Sequence, residues 1–147
     1  MTGARDESAA PLSENERGRL RELFAQVPYA RLLGIEIVSL ERGEAVLALD
    51  VRPELTRMAG ILHGGALASL MDSASAFAVL TVIEPGAHTV TVDLTLHFLR
   101  PVSEGRVEAR ARVVRAGRRV VTVSMEAAAA ATGKLVASAL TTYLRAD

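Results

Sequence analysis

Polar side chains almost vanish between Gly60 and Ala78, and the apolar residues that replace them recur at helical spacing. Ala66, Leu67, Leu70, Met71, Ala74, Phe77 and Ala78 fall three and four residues apart, which puts them on one face of a helix. Ser69, Asp72 and Ser73 form a separate stripe. So few long polar side chains remain that this helix is expected to be buried nearly all round. Upstream, residues 1–12 are small and polar and read as a mobile tail. Ser13 with Glu16 makes a capping box that opens a first helix, whose apolar stripe is Leu20, Leu23, Phe24 and Val27. Pro28 is expected to end it. Its polar face carries both Glu and Arg, so a packing or lid element fits better than a membrane-surface helix.

Elsewhere the period changes to two, the mark of strands. Residues 35–40 and 44–51 predict two strands around a turn at Arg42-Gly43; in the second, Ala45, Leu47, Leu49 and Val51 alternate with Glu44, Val46, Ala48 and Asp50. Residues 53–60 read as a loop into the central helix. After Pro85-Gly86 comes the clearest alternation: Val90, Val92, Leu94, Leu96 and Phe98 against Thr89, Thr91, Asp93, Thr95 and His97, closed by Pro101. Three more strands are expected near 105–115, 118–130 and 134–144, with a tight hairpin at Thr132-Gly133. One helix, two strands, a buried helix and four strands make an α+β protein with an antiparallel sheet. Residues 13–147 then form a single domain.

Composition narrows the function. With 147 residues, half of them hydrophobic, the chain can bury a sizeable core. Its formal net charge is zero, so nothing basic overall points to nucleic acid. Cysteine is absent, which removes disulfides, thiolate metal sites and a cysteine nucleophile, and three well-separated histidines make a metal centre an unattractive reading. No signal peptide is visible at the start and no apolar run is long enough to span a bilayer; a cytoplasmic protein without membrane contact is the expectation. There is no Gly-rich phosphate loop with lysine, and no Gly-x-Ser-x-Gly elbow of a serine hydrolase.

The chemistry therefore concentrates on the central helix. His63-Gly64-Gly65 leaves backbone N–H groups bare at its positive end, where a carbonyl oxygen acquiring charge would be stabilised. Asp72 supplies a carboxylate in a costly apolar setting, suited to a base or nucleophile. Eight residues separate Gly64 from Asp72, or roughly 12 Å at the helical rise, so one helix cannot place both beside one carbonyl. Two antiparallel copies of the helix across a two-fold axis could. Other readings remain open: Asp72 hydrogen-bonded by Ser69 or Ser73, His63 fixing a loop, Gly64 and Gly65 present only for packing, Thr91 an ordinary strand residue.

The run His63-Gly64-Gly65-x4-Leu70-x-Asp72-x-Ala74 resembles the signature of hotdog-fold acyl-CoA thioesterases of the PaaI-like (phenylacetic acid degradation) branch. The likeness spans about Pro28 to Leu144 and includes Leu33-Gly34, Val92-Asp93-Leu94 and Phe98-Leu99-Arg100-Pro101. It implies a hotdog fold: an antiparallel sheet wrapped around one central apolar helix, here with an extra N-terminal helix. It implies hydrolysis of an acyl-CoA to free acid and CoA, with CoA as part of the substrate and no cofactor. It also implies a homodimer at minimum, commonly a homotetramer. Carried over by position, the amide of Gly64 polarises the thioester carbonyl and Asp72 of the partner subunit acts as general base or nucleophile. His63 positions the turn and Thr91 matches a Ser or Thr that orients water. Gly65, Leu67 and Met71 would line the substrate slot, with Arg100, Arg115, Arg118 and Arg119 near the CoA phosphates; a solvated hairpin explains these arginines as well. One departure stands out: many relatives carry asparagine six residues before the histidine, and this chain has Arg57, which would face substrate, pair with Asp72 or point to solvent. The alternatives are a non-catalytic acyl-CoA binder and a hotdog hydratase or dehydratase.

Overall fold

The computed structural model describes residues 10–146. The expected tail thus falls mostly outside the described residues, but Leu12 at its end is packed into the core. Helix α1 (Glu14–Ala25) starts as its sequence requires. The Ser13 hydroxyl accepts from the Glu16 amide, and the Glu16 carboxylate accepts from the Ser13 amide at 2.8 Å, closing the capping box. Pro28 does not simply end this helix: it opens a second one, α2 (Pro28–Leu33), at a position where its missing N–H costs nothing. Gly34 closes α2 in the left-handed conformation.

Six strands follow: β1 (Glu36–Glu41), β2 (Glu44–Asp50), then, after helix α3 (Gly64–Leu80), β3 (His88–Phe98), β4 (Arg106–Ala116), β5 (Val120–Ala129) and β6 (Leu135–Ala146). They form one antiparallel sheet in the order β1-β2-β4-β5-β6-β3. Helix α3 lies across β2, β4 and β5, with Leu70, Met71, Ala74, Ala78 and Val79 wholly buried against the sheet. Phe24 of α1 meets Phe77 of α3 edge-on, ring centroids 5.2 Å apart. This is a sheet curled around one apolar helix, with α1 and α2 added at the N-terminal side. Among the described residues no helix is long and apolar enough to cross a membrane.

Two departures from simple alternation matter. In β2 both faces are buried, Val46 and Ala48 included. The register explains it: Glu44, Val46, Ala48 and Asp50 stand opposite Arg112, Arg110, Glu108 and Arg106. Glu44 pairs with Arg110 and Arg112, and Arg106 pairs with Glu36 and Asp50, so the arginine stems roof the small apolar residues between them. In β3 the register with β6 slips between Thr91 and Asp93. This bulge reverses the faces along the strand. Thr91 pairs with Tyr143, and Leu94 with Thr141, both inward residues of β6. Thr91 therefore shares the helix side with Leu94, Leu96 and Phe98, not the side of Asp93 that unbroken alternation predicts.

Candidate active site

Helix α3 begins with an unusual division of its free amides. The His63 Nδ1 accepts the Gly65 N–H at 2.8 Å, while the His63 carbonyl takes the amides of Ala66 and Leu67. The Gly64 N–H is left with no acceptor among the described residues. Because Nδ1 is the acceptor, the ring proton sits on Nε2. His63 is thus the N-cap of the helix, and it selects which amide stays open.

A side chain at either glycine would press on a neighbouring side chain, which would have to give. A Cβ on Gly65 would lie 2.9 Å from His63 Nδ1, and one on Gly64 would lie 3.0 Å from the Phe98 ring. Gly64 forms part of the wall of a cavity of about 370 Å³, together with Leu67, Phe98, Leu99, Arg57 and Arg100. The segment entering the helix is held by Leu62 N–H to Val102 O and His63 N–H to Leu55 O. Ala59 there has φ 68°, the sole non-glycine in the left-handed region among the described residues. That conformation costs an L-residue roughly 1–2 kcal/mol.

Asp72 lies two turns further on, half-buried and away from this cavity. Burial raises its carboxyl above the usual carboxylate range, and a hydrogen bond from Tyr143 works the other way. Neither Ser69 nor Ser73 serves the carboxylate: Ser69 Oγ donates to Gly65 O and meets the Tyr29 hydroxyl, each at 2.8 Å. Arg57 forms no ion pair with Asp72; it stays on the cavity wall, exposed. Around Asp72 are hydroxyls instead. Tyr143 Oη is 3.5 Å from Oδ1, Ser75 Oγ is 2.7 Å from Tyr143 Oη, and Thr91 stands opposite Tyr143 in the ladder.

Of the residues expected at the site, Gly64, Leu67, Arg57 and Arg100 meet at one cavity, and Thr91 gathers with Asp72 through Tyr143. Met71 does not join them; it is wholly buried against the sheet, because its helical position faces β strands rather than the cavity. Arg115, near the end of β4, and Arg118, in the β4–β5 turn, are exposed and line no part of the cavity. Nothing in the sequence pattern singles out Tyr143, Ser75 or Tyr29. A single tyrosine in an alternating strand carries no signal beyond core packing, though the pairing of Thr91 with a buried Tyr would follow once the bulge is known. Among the described residues no group of three or more His, Asp or Glu gathers that could hold a metal ion.

A six-stranded antiparallel sheet around a helix with a bare, histidine-capped amino end and a half-buried carboxylate is the architecture of hotdog thioesterases. Residues 59–136 match the thioesterase superfamily, and the chain belongs to it. Human acyl-coenzyme A thioesterase 13 is 35% identical over 111 residues, covering 74% of this chain and 79% of that one. The E. coli PaaI protein of the phenylacetic acid degradation operon superposes with TM-score 0.84 at 28% identity, over 92% of this chain and 96% of that one. A mutant of PaaI from Thermus thermophilus is 37% identical, with TM-score 0.74, over 82% of this chain and all of that one. The protein is a PaaI-like, hotdog-fold thioester hydrolase.

Proposed function

We propose that the chain hydrolyses acyl-CoA thioesters in sites shared between two subunits, each site taking Gly64 from one and Asp72 from the other. The observation that carries this is the separation of two half-sites on one helix. Among the described residues, an amide with no acceptor stands at a cavity, and a half-buried carboxylate with no cation beside it lies about 12 Å away by helical rise. Neither half is a hydrolase alone.

Strand β3 supports a dimer. It is an eleven-residue edge strand with Val90, Val92 and Phe98 exposed, the kind of edge that soluble proteins cover. A two-fold pairing of β3 with its copy would extend the sheet and turn two α3 helices past one another. In the mechanism, the Gly64 N–H and the positive end of α3 stabilise the oxyanion. Asp72 of the partner subunit activates water or attacks the carbonyl, and Thr91 orients the water. Leu67 and Phe98 contact the acyl or pantetheine chain. Arg57 and Arg100, on the cavity wall, receive the phosphates of CoA in this reading. Pairing of dimers into a tetramer, and a cytoplasmic setting, complete the reading.

Replacing Asp72 with Asn should lower turnover at least ~100-fold, followed as thiol release from a panel of acyl-CoA esters including phenylacetyl-CoA. Wild-type turnover by a folded Asp72→Asn dimer would contradict the role. The exposed Arg57 at the cavity is the one feature that favours a non-catalytic binder. Tight acyl-CoA binding without thiol release would support that instead, and hydration of crotonyl-CoA would point to a hydratase.

A further inference from the structure

We propose that Tyr143 is a positioning residue for the Asp72 carboxylate, holding it through a phenol that is shared between that carboxylate and Ser75. The proposal rests on the reading of Asp72 as the reacting group.

Tyr143 is 3% exposed and projects from β6 toward α3. For packing alone a phenylalanine would serve, since a buried hydroxyl must find partners or cost stability. This one finds them on a single helical turn. Its oxygen is 2.7 Å from Ser75 Oγ, 3.4 Å from the Asp72 carbonyl and 3.5 Å from Asp72 Oδ1. Ser75 is itself fully buried and donates its own proton to the Asp72 carbonyl at 2.7 Å. The phenol must then be the donor toward Ser75 Oγ, and rotation of its O–H aims the same proton at Oδ1. At 3.5 Å that second bond is weak as it stands. Hydrogen bonds of reacting groups are often long in unliganded sites and tighten when substrate is bound.

The neighbours leave Asp72 little else. From α3 it has Ser75, which donates to its backbone carbonyl, from β6 Tyr143, and from β3 Thr91, which stands opposite Tyr143 in the ladder. All three are neutral, and no cation or second carboxylate of the described residues bears on the Asp72 carboxyl. Burial, foremost, and the Asp72 charge hold the phenol above its ordinary range, so it keeps its proton to donate. The β3 bulge brings Thr91 to this side. Of the hydroxyls gathered here, Tyr143 is the one in reach of the Asp72 carboxylate oxygen.

The test compares Tyr143→Phe and Ser75→Ala with wild-type enzyme by kcat, KM and the pH profile of kcat/KM. A hydrogen bond to a charged group contributes about 1.5–3 kcal/mol, so Tyr143→Phe should lower kcat by about ten- to a hundred-fold with KM little changed. Its acid limb should move to higher pH, because the ionised carboxylate loses its donor. Ser75→Ala removes the competing acceptor, commits the phenol to Asp72 and should move the acid limb the other way. An acid limb and kcat unchanged in Tyr143→Phe would overturn the proposal. Should that variant not fold, an acid limb that stays or rises in Ser75→Ala would overturn it. A dead Asp72→Asn beside an unaltered Tyr143→Phe removes this inference alone, whereas an active Asp72→Asn removes the reading beneath it as well.

Discussion

At the scale of single residues, the site is a place where stability and chemistry pull apart. Asp72 is raised above the ordinary carboxylate range by burial, so the folded chain holds this proton more tightly than the unfolded chain does. Its ionisation therefore destabilises the fold: the loss begins as pH rises through the unfolded carboxylate range and is complete above the raised native one. Asp72→Asn should melt at a higher temperature than wild type near pH 7, with the margin shrinking as pH falls and gone in strong acid. Thermal denaturation at pH 7 and pH 3 reads this directly, and a variant less stable than wild type at pH 7 would contradict it. Such a gain beside a loss of activity is what a functional carboxylate in an apolar wall should show. Which acidic residue to watch was visible in the chain, because no other carboxylate interrupts the apolar run. Its neighbours were not visible. Ser69 and Ser73 share its stripe, but the partners in reach come from Tyr143, sixty-eight positions beyond Ser75, and no local spacing announces that.

At the scale of elements, α3 and the strands follow from periodicity, and the misses have nameable causes. Pro28 reads as a stop, yet proline is equally at home in the first turn of the next helix. The β3 bulge leaves no trace in the pattern, since Val90 and Val92 continue the alternation of Leu94 and Leu96 on paper while the register shifts beneath them. That slip is what delivers Thr91 to the helix side. Met71 fits the apolar stripe but lies on its sheet-facing part, and the stripe alone does not separate core from cavity. The charge of Arg115 and Arg118 says nothing of where the β4–β5 hairpin points, and in one chain neither lines the cavity. The start of α3 permits a sharper test. Gly65→Ala would put a Cβ 2.9 Å from His63 Nδ1 and turn the ring out, leaving the Gly65 amide uncapped. Each of Gly65→Ala and His63→Ala should cost about 0.5–2 kcal/mol in urea unfolding. Because both break one hydrogen bond, the double variant should cost little more than either single one. Full additivity would mean that the cap is not the shared cause.

At the scale of the whole molecule, the fold places an open amide at one end of the central helix and a carboxylate two turns along it, and puts the long strand β3 at the edge of the sheet. The roofing of β2 by arginine–glutamate pairs shows how the outer face is managed within one chain; among the described residues β3 has no such ion pairs over it. In the proposed dimer a second copy would complete both the edge and the site. The most direct measurement mixes two inactive variants. Gly64→Pro deletes the open amide at a position, the first of the helix, where proline is tolerated, and His63 already has the extended conformation that a residue before proline prefers. Asp72→Asn deletes the carboxylate. Co-refolded in equal amounts, they should regain about a quarter of the wild-type sites, because half the dimers are mixed and each mixed dimer holds one intact site. A mixture as inactive as its two components, with mixed dimers present, would contradict a site shared between subunits.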